Sequence, residues 1–290
     1  MARVPEMTFC KPVHPPPPTA NIEHLSAVEK AKKRFSLEGK CAVISGGARG
    51  LGLTIAEGLL EHGAAAIALL DLDEKEGQHA VEKLHSLYPE KPENIVFQSV
   101  DVTDADALGK TIHEIAESFG MIDILVCFAG IVSSVRALDY TPEIFRKICD
   151  VNMIGTFLTA QAVGREMITR KTGGSIILTA SMAGHIVNYP QTHVAYGTSK
   201  AGVQHMTHCL AAEWAEYGVR VNSLSPGYMD TRLNASDDLT DVLPTWFERT
   251  PMGRMGLKEE LIGPVVLLAS SAGEFMTGSD LRVDGGYTLF

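Results

Sequence analysis

The order of residues predicts a single doubly wound α/β domain, a parallel sheet covered by helices on both faces. Three observations lead there. From Lys40 onward, apolar strand-like runs alternate with amphipathic helical runs, the pattern of a sheet buried on both sides. A glycine-rich turn joins the first strand to the first helix of that series. The chemically distinctive residues Gly46, Asp71, Asp101, Gly130, Ser181 and Gly227 all follow expected strand ends, where ligands bind in sheets of this kind.

Residues 1–36 precede that alternation and contain Pro15-Pro16-Pro17-Pro18, then a polar stretch with Lys30, Lys32, Lys33 and Arg34. They read as an N-terminal extension outside the core, either a floppy tail or a strap on a neighbouring subunit, with the catalytic-type domain spanning 37–290. Cys41 to Ser45 reads as a buried strand, and Leu53 to Leu60 has helical spacing. A second strand from Ala64 to Leu70 ends in Asp71-Leu72-Asp73. Further strands are expected near 95–99, 124–127, 175–179, 219–224 and 281–283. The stretch from Tyr228 to Gly256 exceeds an ordinary connection and holds Asp230, Thr231, Trp246, Phe247 and Met252, which suggests a flap over a ligand. Trp246 and Phe247 serve equally well as core or subunit-contact aromatics.

The turn Gly46-Gly47-Ala48-Arg49-Gly50-Leu51-Gly52 between strand and helix is a phosphate-binding arrangement. Glycines let the backbone approach a pyrophosphate closely, and the unpaired amides of a helix N-terminus favour negative charge. Its spacing is G-x-x-x-G-x-G, not the common G-x-G-x-x-G. About twenty residues on, Asp71 is placed to accept hydrogen bonds from an adenosine ribose. A 2′-phosphate would meet that carboxylate with repulsion, so Asp71 favours NAD(H). Arg49 could pair with the same phosphate, which keeps NADP(H) open.

Tyr196 and Lys200 are four residues apart in Tyr196-Gly197-Thr198-Ser199-Lys200, on one face of an expected helix, and Ser181 lies fifteen residues upstream. Lowering a tyrosine from a pKa of about 10 to about 7 requires roughly 4 kcal/mol of preference for phenolate. One ammonium at about 4 Å supplies that much at an effective dielectric of about 20. The expectation is therefore a proton-transfer tyrosine made acidic by its lysine. His185, Asn188, Gln191 and His193, between the serine and the tyrosine, could hydrogen-bond a polyhydroxylated molecule. No compact His/Cys/carboxylate set accompanies them, so no metal is expected.

Together these residues resemble the short-chain dehydrogenase/reductase family. Ser45-Gly46-x-x-x-Gly50-x-Gly52, Asp101-Val102, Asn152, Ser181, Tyr196-x-x-x-Lys200, Pro226-Gly227 and Asp284-Gly285-Gly286 occur in the family's order, over about Leu37 to Phe290. The resemblance implies a Rossmann-type domain, an NAD(P)(H) cofactor, and hydride transfer between a secondary alcohol and a ketone. It implies that Tyr196 is the general acid/base, that Ser181 orients the substrate oxygen, and that Lys200 both lowers the tyrosine and holds the nicotinamide ribose. Asn152 would position a water near Lys200, and Asp101 and Val102 would flank the adenine. The implied cofactor set is Ser45, Gly46, Arg49, Gly50, Leu51, Gly52, Asp71, Asp101, Val102, Ala129, Gly130, Gly227, Met229 and Thr231, with Tyr196 and Lys200. One departure stands out: Phe128 replaces the family's asparagine in Phe128-Ala129-Gly130 and cannot make its strand-tying hydrogen bonds.

The stretches Thr179 to Ile186, Pro190-Gln191 and Ser225 to Thr231 are similar to fungal mannitol, arabinitol and sorbose-type polyol dehydrogenases and ketose reductases. Fungal tailoring reductases of secondary metabolism look similar too. A dinucleotide-binding regulator without turnover is the alternative from another class, and the intact Ser/Tyr/Lys set argues against it.

Composition bounds the remainder. The 290 residues, 45% hydrophobic and 21% charged, suffice for one large core. A formal net charge of −10 argues against nucleic-acid binding and suits a small-molecule substrate. The five cysteines are scattered without a C-x-x-C pair, which fits reduced thiols and a cytoplasmic compartment. No apolar stretch reaches membrane-spanning length, the N-terminus lacks a secretory apolar core, and the chain does not end in the usual peroxisomal tripeptide. A homo-oligomer, dimer or tetramer, is expected from the resemblance alone.

Overall fold

The computed structural model describes residues 7, 8, 10, 24–90, 92–231 and 241–290. Seven strands, β1 (Cys41–Ser45), β2 (Ala66–Asp71), β3 (Ile95–Ser99), β4 (Ile124–Cys127), β5 (Gly174–Thr179), β6 (Val219–Pro226) and β7 (Asp280–Val283), form one sheet. Its order is β3-β2-β1-β4-β5-β6-β7, every pairing parallel. The order reverses between β1 and β4, so the chain opens a crevice at that switch point, beyond the strands' carboxyl ends. Six of the expected strands begin and end within a residue or two of their places. The second starts at Ala66 rather than Ala64, because the Ala64 and Ala65 amides turn to Leu59 and Lys40 carbonyls before the ladder begins.

Alternation along each strand builds two cores. Ala42 and Ile44 of β1 and Ile67 and Leu69 of β2 face one layer, packed by α2 (Gly50–Glu61), α3 (Glu74–Leu87) and α9 (Ile262–Ala269). Val43, Ala68 and Leu70 face the other, packed by α4 (Ala105–Phe119), α6 (Thr156–Thr169) and α7 (Val194–Trp214). Side chains of a strand point alternately to opposite faces, and both faces here are covered, hence the near-continuous apolar runs. Each fully buried Leu or Ile contributes about 1.5–3 kcal/mol. Phe128, which follows β4, packs on the first layer, while its amide donates to the Ser45 carbonyl at 2.8 Å. The backbone thus keeps β1 and β4 tied after the asparagine is gone.

Part of the N-terminal extension is ordered. Helix α1 (Ala27–Phe35) opens on a capping box, with the Ser26 hydroxyl accepting from the Glu29 amide and the Glu29 carboxylate accepting from the Ser26 amide. None of its residues is buried; the polyproline stretch lies outside the described residues. Of the suspected flap, residues 232–240 also lie outside them. Tyr228 and Asp230 pair with Gly256, and α8 (Leu243–Arg249) sinks Trp246 to full burial, stacked on Tyr228 at 3.8 Å between ring centroids. Trp246 is a core aromatic, whereas Phe247 is 38% exposed.

Candidate active site

Three loops meet beyond the strand ends at the switch point. The first is the glycine turn. Gly46 has φ +68°, and a Cβ there would lie 2.6 Å from the Ala129 amide nitrogen; at Gly52 one would lie 2.1 Å from the Gly46 carbonyl oxygen. Only glycine lets this turn fold against itself and against Ala129-Gly130. Gly50, φ +55°, has open space where its Cβ would be. Helices α3 and α4 are capped by Asp73 and Asp104, but at α2 the N-cap residue is Arg49, with no side-chain hydrogen bond to the opening amides. Those amides are left for an anion.

Asp71, at the end of β2, accepts from the Leu72 amide at 2.8 Å and the Ala48 amide at 3.3 Å, which fixes its carboxylate beside the turn. Arg49 lies 3.8 Å from Asp73, its side chain 61% exposed. Asp101 accepts from the amide and hydroxyl of Thr103, and buried Val102 packs where a Cβ on Gly155 would collide. Ser45 is buried, Leu51 packs on the first core layer, and Gly227 donates to Val283. The Met229 side chain is 3% exposed and packs within the first core layer. Thr231 is half-buried at the edge of the described segment. The cradle, the open amides and the fixed carboxylate fit a dinucleotide.

The second loop carries Ser181, directly after β5, and the third element is α7 with Tyr196 and Lys200 on its first turns. The Ser181 side chain lies close enough to the Tyr196 hydroxyl to favour phenolate, while its Oγ accepts from the Ala183 amide at 3.1 Å. Lys200 is 5% exposed and donates to the Thr179 carbonyl at 2.6 Å, its Nζ lying 5.7 Å from the centre of the Tyr196 ring. Burial pulls the lysine down to about 8. Burial also pushes the Tyr196 phenol up, outweighing the Ser181 side chain, which lowers it. The expected depression of the tyrosine by its lysine is therefore not what this arrangement yields: the ammonium is anchored to a carbonyl, and desolvation of the half-buried phenol dominates. Cys127, fully buried beside Lys200, is held protonated, its thiol pushed up to about 12.

Asn152 sits in a π-helical turn, Asp150–Gly155, between α5 (Pro142–Cys149) and α6. Its Oδ1 accepts from the Ile131 amide at 2.8 Å, and its Nδ2 donates to the Ile131 carbonyl at 2.9 Å and to Ser199 Oγ at 3.1 Å. It pins the loop after β4 to α7. A Cβ on Gly130 would stand 3.3 Å from Asn152 Oδ1 and 3.8 Å from Lys200 Nζ, so these groups surround one glycine.

The polar residues expected between Ser181 and Tyr196 divide. His193 shares a 2.9 Å hydrogen bond with Ser134 Oγ, and its ring stands edge-on to Tyr196, centroids 5.9 Å apart. Gln191 accepts from the Tyr228 hydroxyl at 2.8 Å, and the Asn188 Oδ1 is buried without a hydrogen-bond partner. His185 turns the other way, to Asp280 at 2.7 Å. Ser134, Thr179, Ser199 and Gln204 were not singled out by the sequence. Of these Ser199, inside the Tyr196–Lys200 run, and Thr179, at the head of the Thr179 to Ile186 stretch, carried a signal in their position. No His/Cys/Asp/Glu group among the described residues could hold a metal.

Known proteins place the chain. The family model described as enoyl-(acyl carrier protein) reductase matches residues 46–288. Galactitol 2-dehydrogenase of Rhizobium johnstonii is 38% identical over 261 residues, 89% of this chain and 99% of that protein. A sorbose reductase of Candida albicans is 38% identical, covering 88% and 89%, and an NADP-dependent mannitol dehydrogenase of Hypocrea jecorina is 37% identical, covering 94% and 98%. Among solved structures, a short-chain type dehydrogenase/reductase from Mycobacterium marinum superposes with a TM-score of 0.83 at 42% identity, covering 88% and 98% of the two chains. An NAD+-bound xylitol dehydrogenase gives 0.77 at 34%, covering 86% and 99%. With the glycine cradle and the Ser/Tyr/Lys set on one crevice, the chain belongs to the short-chain dehydrogenase/reductase family of NAD(P)-dependent oxidoreductases that act on CH–OH groups.

Proposed function

We propose that the protein interconverts a neutral polyol and its ketose, with Tyr196 as the general acid/base. The convergence of Tyr196, Ser181 and Lys200 beyond β5 carries this reading. The relatives named for galactitol, sorbose and mannitol support the substrate class, and so do the polar pairs His193–Ser134 and Tyr228–Gln191 beside the tyrosine. Bound NAD(P)(H) would supply or accept the hydride. Ser181 hydrogen-bonds the substrate oxygen and steadies the charge it develops. Tyr196 gives that oxygen a proton during reduction and removes one during oxidation. Lys200, where charged, favours phenolate over phenol, and Asn152 holds the Ile131 loop against α7. Asp71 supports a preference for NAD(H), with exposed Arg49 available to a 2′-phosphate. A dimer or tetramer in the cytoplasm completes the proposal, and size-exclusion chromatography with light scattering tests the assembly.

The test of the chemistry is Tyr196→Phe. Cofactor affinity, read by nucleotide fluorescence, should match the parent, while turnover on a panel of polyols and ketoses falls about 10²- to 10⁴-fold, the usual worth of a general acid/base. Parental turnover in that variant ends the proposal. A half-buried phenol with a raised pKa is protonated at neutral pH, the form that donates. Ketose reduction should accordingly persist toward acid pH, and polyol oxidation should climb with alkaline pH. Matched pH profiles in the two directions check this.

A further inference from the structure

Outside the crevice, a chain of partly buried hydrogen bonds runs from the sheet edge to the backbone of Ser181. Ser223 and Ser225 lie two apart on β6, on one face, and both are fully buried. The β6–β7 register sets Ser223 opposite Asp280. Asp280 Oδ1 accepts from Ser223 Oγ at 2.6 Å and from Ser225 Oγ at 2.7 Å; its Oδ2 meets His185 Nε2 at 2.7 Å. Gln204, on α7, donates through one Nε2 to Ser225 Oγ at 3.3 Å and to the Ser181 carbonyl at 3.2 Å. The room for that amide exists because residue 184 is glycine, where a Cβ would come within 2.7 Å of Gln204 Nε2.

We infer that Asp280 is a positioning residue, which acts through Ser225 and Gln204 to fix the turn that presents Ser181. A carboxylate can only accept, so the Ser225 hydrogen is committed to Asp280 and its lone pair faces Gln204. That lone pair and the Ser181 carbonyl are both acceptors, so the glutamine must present its NH2 and not its oxygen. Without the carboxylate, Ser225 is free to rotate, the amide can flip, and the Ser181 carbonyl loses its link to α7, keeping only the Gly184 amide at 3.0 Å within its own turn. His185 binds the far end of the same turn to the same carboxylate, so Asp280 grips the turn at both ends. Displacing a catalytic group by about 1 Å costs up to about 10²-fold in rate.

The inference rests on the role proposed above for Ser181, and the test separates the two. In Asp280→Ala, kcat should fall about 10- to 100-fold, with cofactor affinity within about twofold of the parent. Asp280→Asn, whose Oδ1 still accepts from both serines, should restore kcat to within about threefold. Gln204→Met removes both donors at similar volume and should reproduce the loss. Because the links act in series, the double variant should be no slower than the slower single one. Parental kcat in Asp280→Ala, or penalties that multiply in the double variant, would overturn the inference. Should Asp280→Ala not fold, parental kcat in Gln204→Met does the same. Parental turnover in Ser181→Ala would instead remove the premise; loss there, with none in the Asp280 and Gln204 variants, sinks the positioning role alone.

Discussion

Lys200 is an ammonium group in a place that disfavours charge. Its ordinary pKa of 10.5 is held at about 8 by burial. Between those values the unfolded chain keeps a proton that the folded chain has shed, so stability rises as pH climbs through that window. Urea unfolding at pH 7.5 and pH 10 should show the parent gaining about 2–3 kcal/mol relative to Lys200→Met, at about 1.36 kcal/mol per unit. No gain across that interval would mean the buried ammonium is not depressed. Asp71 offers a second test at this scale. Its carboxylate is held by backbone amides beside the glycine turn, where a 2′-phosphate would meet its charge. Asp71→Ser should shift the ratio of kcat/KM for NADPH over NADH upward by about tenfold or more, the worth of roughly 1.4 kcal/mol of repulsion relieved. The spacing of Tyr196 and Lys200, and Ser181 at a strand end, were legible in the sequence because local helix geometry and the strand-end rule fix them. The anchoring of Lys200 by the Thr179 carbonyl was not, since it depends on how closely α7 approaches the end of β5.

The elements themselves were readable where periodicity is strong and opaque where tertiary partners decide. The strands of this sheet announce themselves as apolar runs because both faces are covered, and Asp71, Ser181 and Gly227 follow from where those runs stop. The partner of His185 was opaque for a physical reason: its position between Ser181 and Tyr196 left several roles open, and the β6–β7 pairing brings Asp280 within 2.7 Å of it. Helix α1 shows the opposite case, a strong local signal with slight tertiary anchoring, the Ser271 hydroxyl donating to the Arg34 carbonyl at 3.1 Å. Its capping box satisfies its first amides, yet none of its residues is buried, and Leu37 just beyond it is fully buried with its amide on the His62 carbonyl. Ser26→Ala should therefore destabilise α1 by about 1 kcal/mol, seen as faster hydrogen exchange over 27–35, without moving the thermal midpoint. Leu37→Ala should cost about 2–5 kcal/mol globally. A midpoint shift in Ser26→Ala comparable to that of Leu37→Ala would show that α1 is part of the cooperative core.

At the scale of the molecule, the sheet is asymmetric in what holds its two ends to the crevice. The cofactor cradle stands on the central pair β1 and β4, with packed layers on both faces, whereas Asp280 lies on the edge strand β7. The chain reaches β7 from α9 through a connection held largely by two side chains of β6. Arg220 donates to the carbonyls of Leu268, Gly273 and Met276 at 2.7, 2.9 and 3.2 Å. Asn222 donates to Met276 at 2.8 Å and accepts from the Ser279 amide at 3.0 Å. Burial lowers the Arg220 pKa, but the group stays charged, and its removal breaks three charge-assisted hydrogen bonds at once, leaving Leu268, Gly273 and Met276 with one donor each, Ser175, the Met276 amide and Asn222. Arg220→Met should therefore cost about 3 kcal/mol or more, a fall of roughly 6–12 °C in Tm for a chain of this size. The loss should also be directional. Below the new Tm, loosening of the edge connection releases Asp280 and slows turnover, while the glycine turn on β1 and β4 keeps its shape and the cofactor Kd stays at the parental value. Equal losses of cofactor affinity and turnover in Arg220→Met would show instead that edge and centre yield as one unit, and that the crevice owes its geometry to the whole sheet.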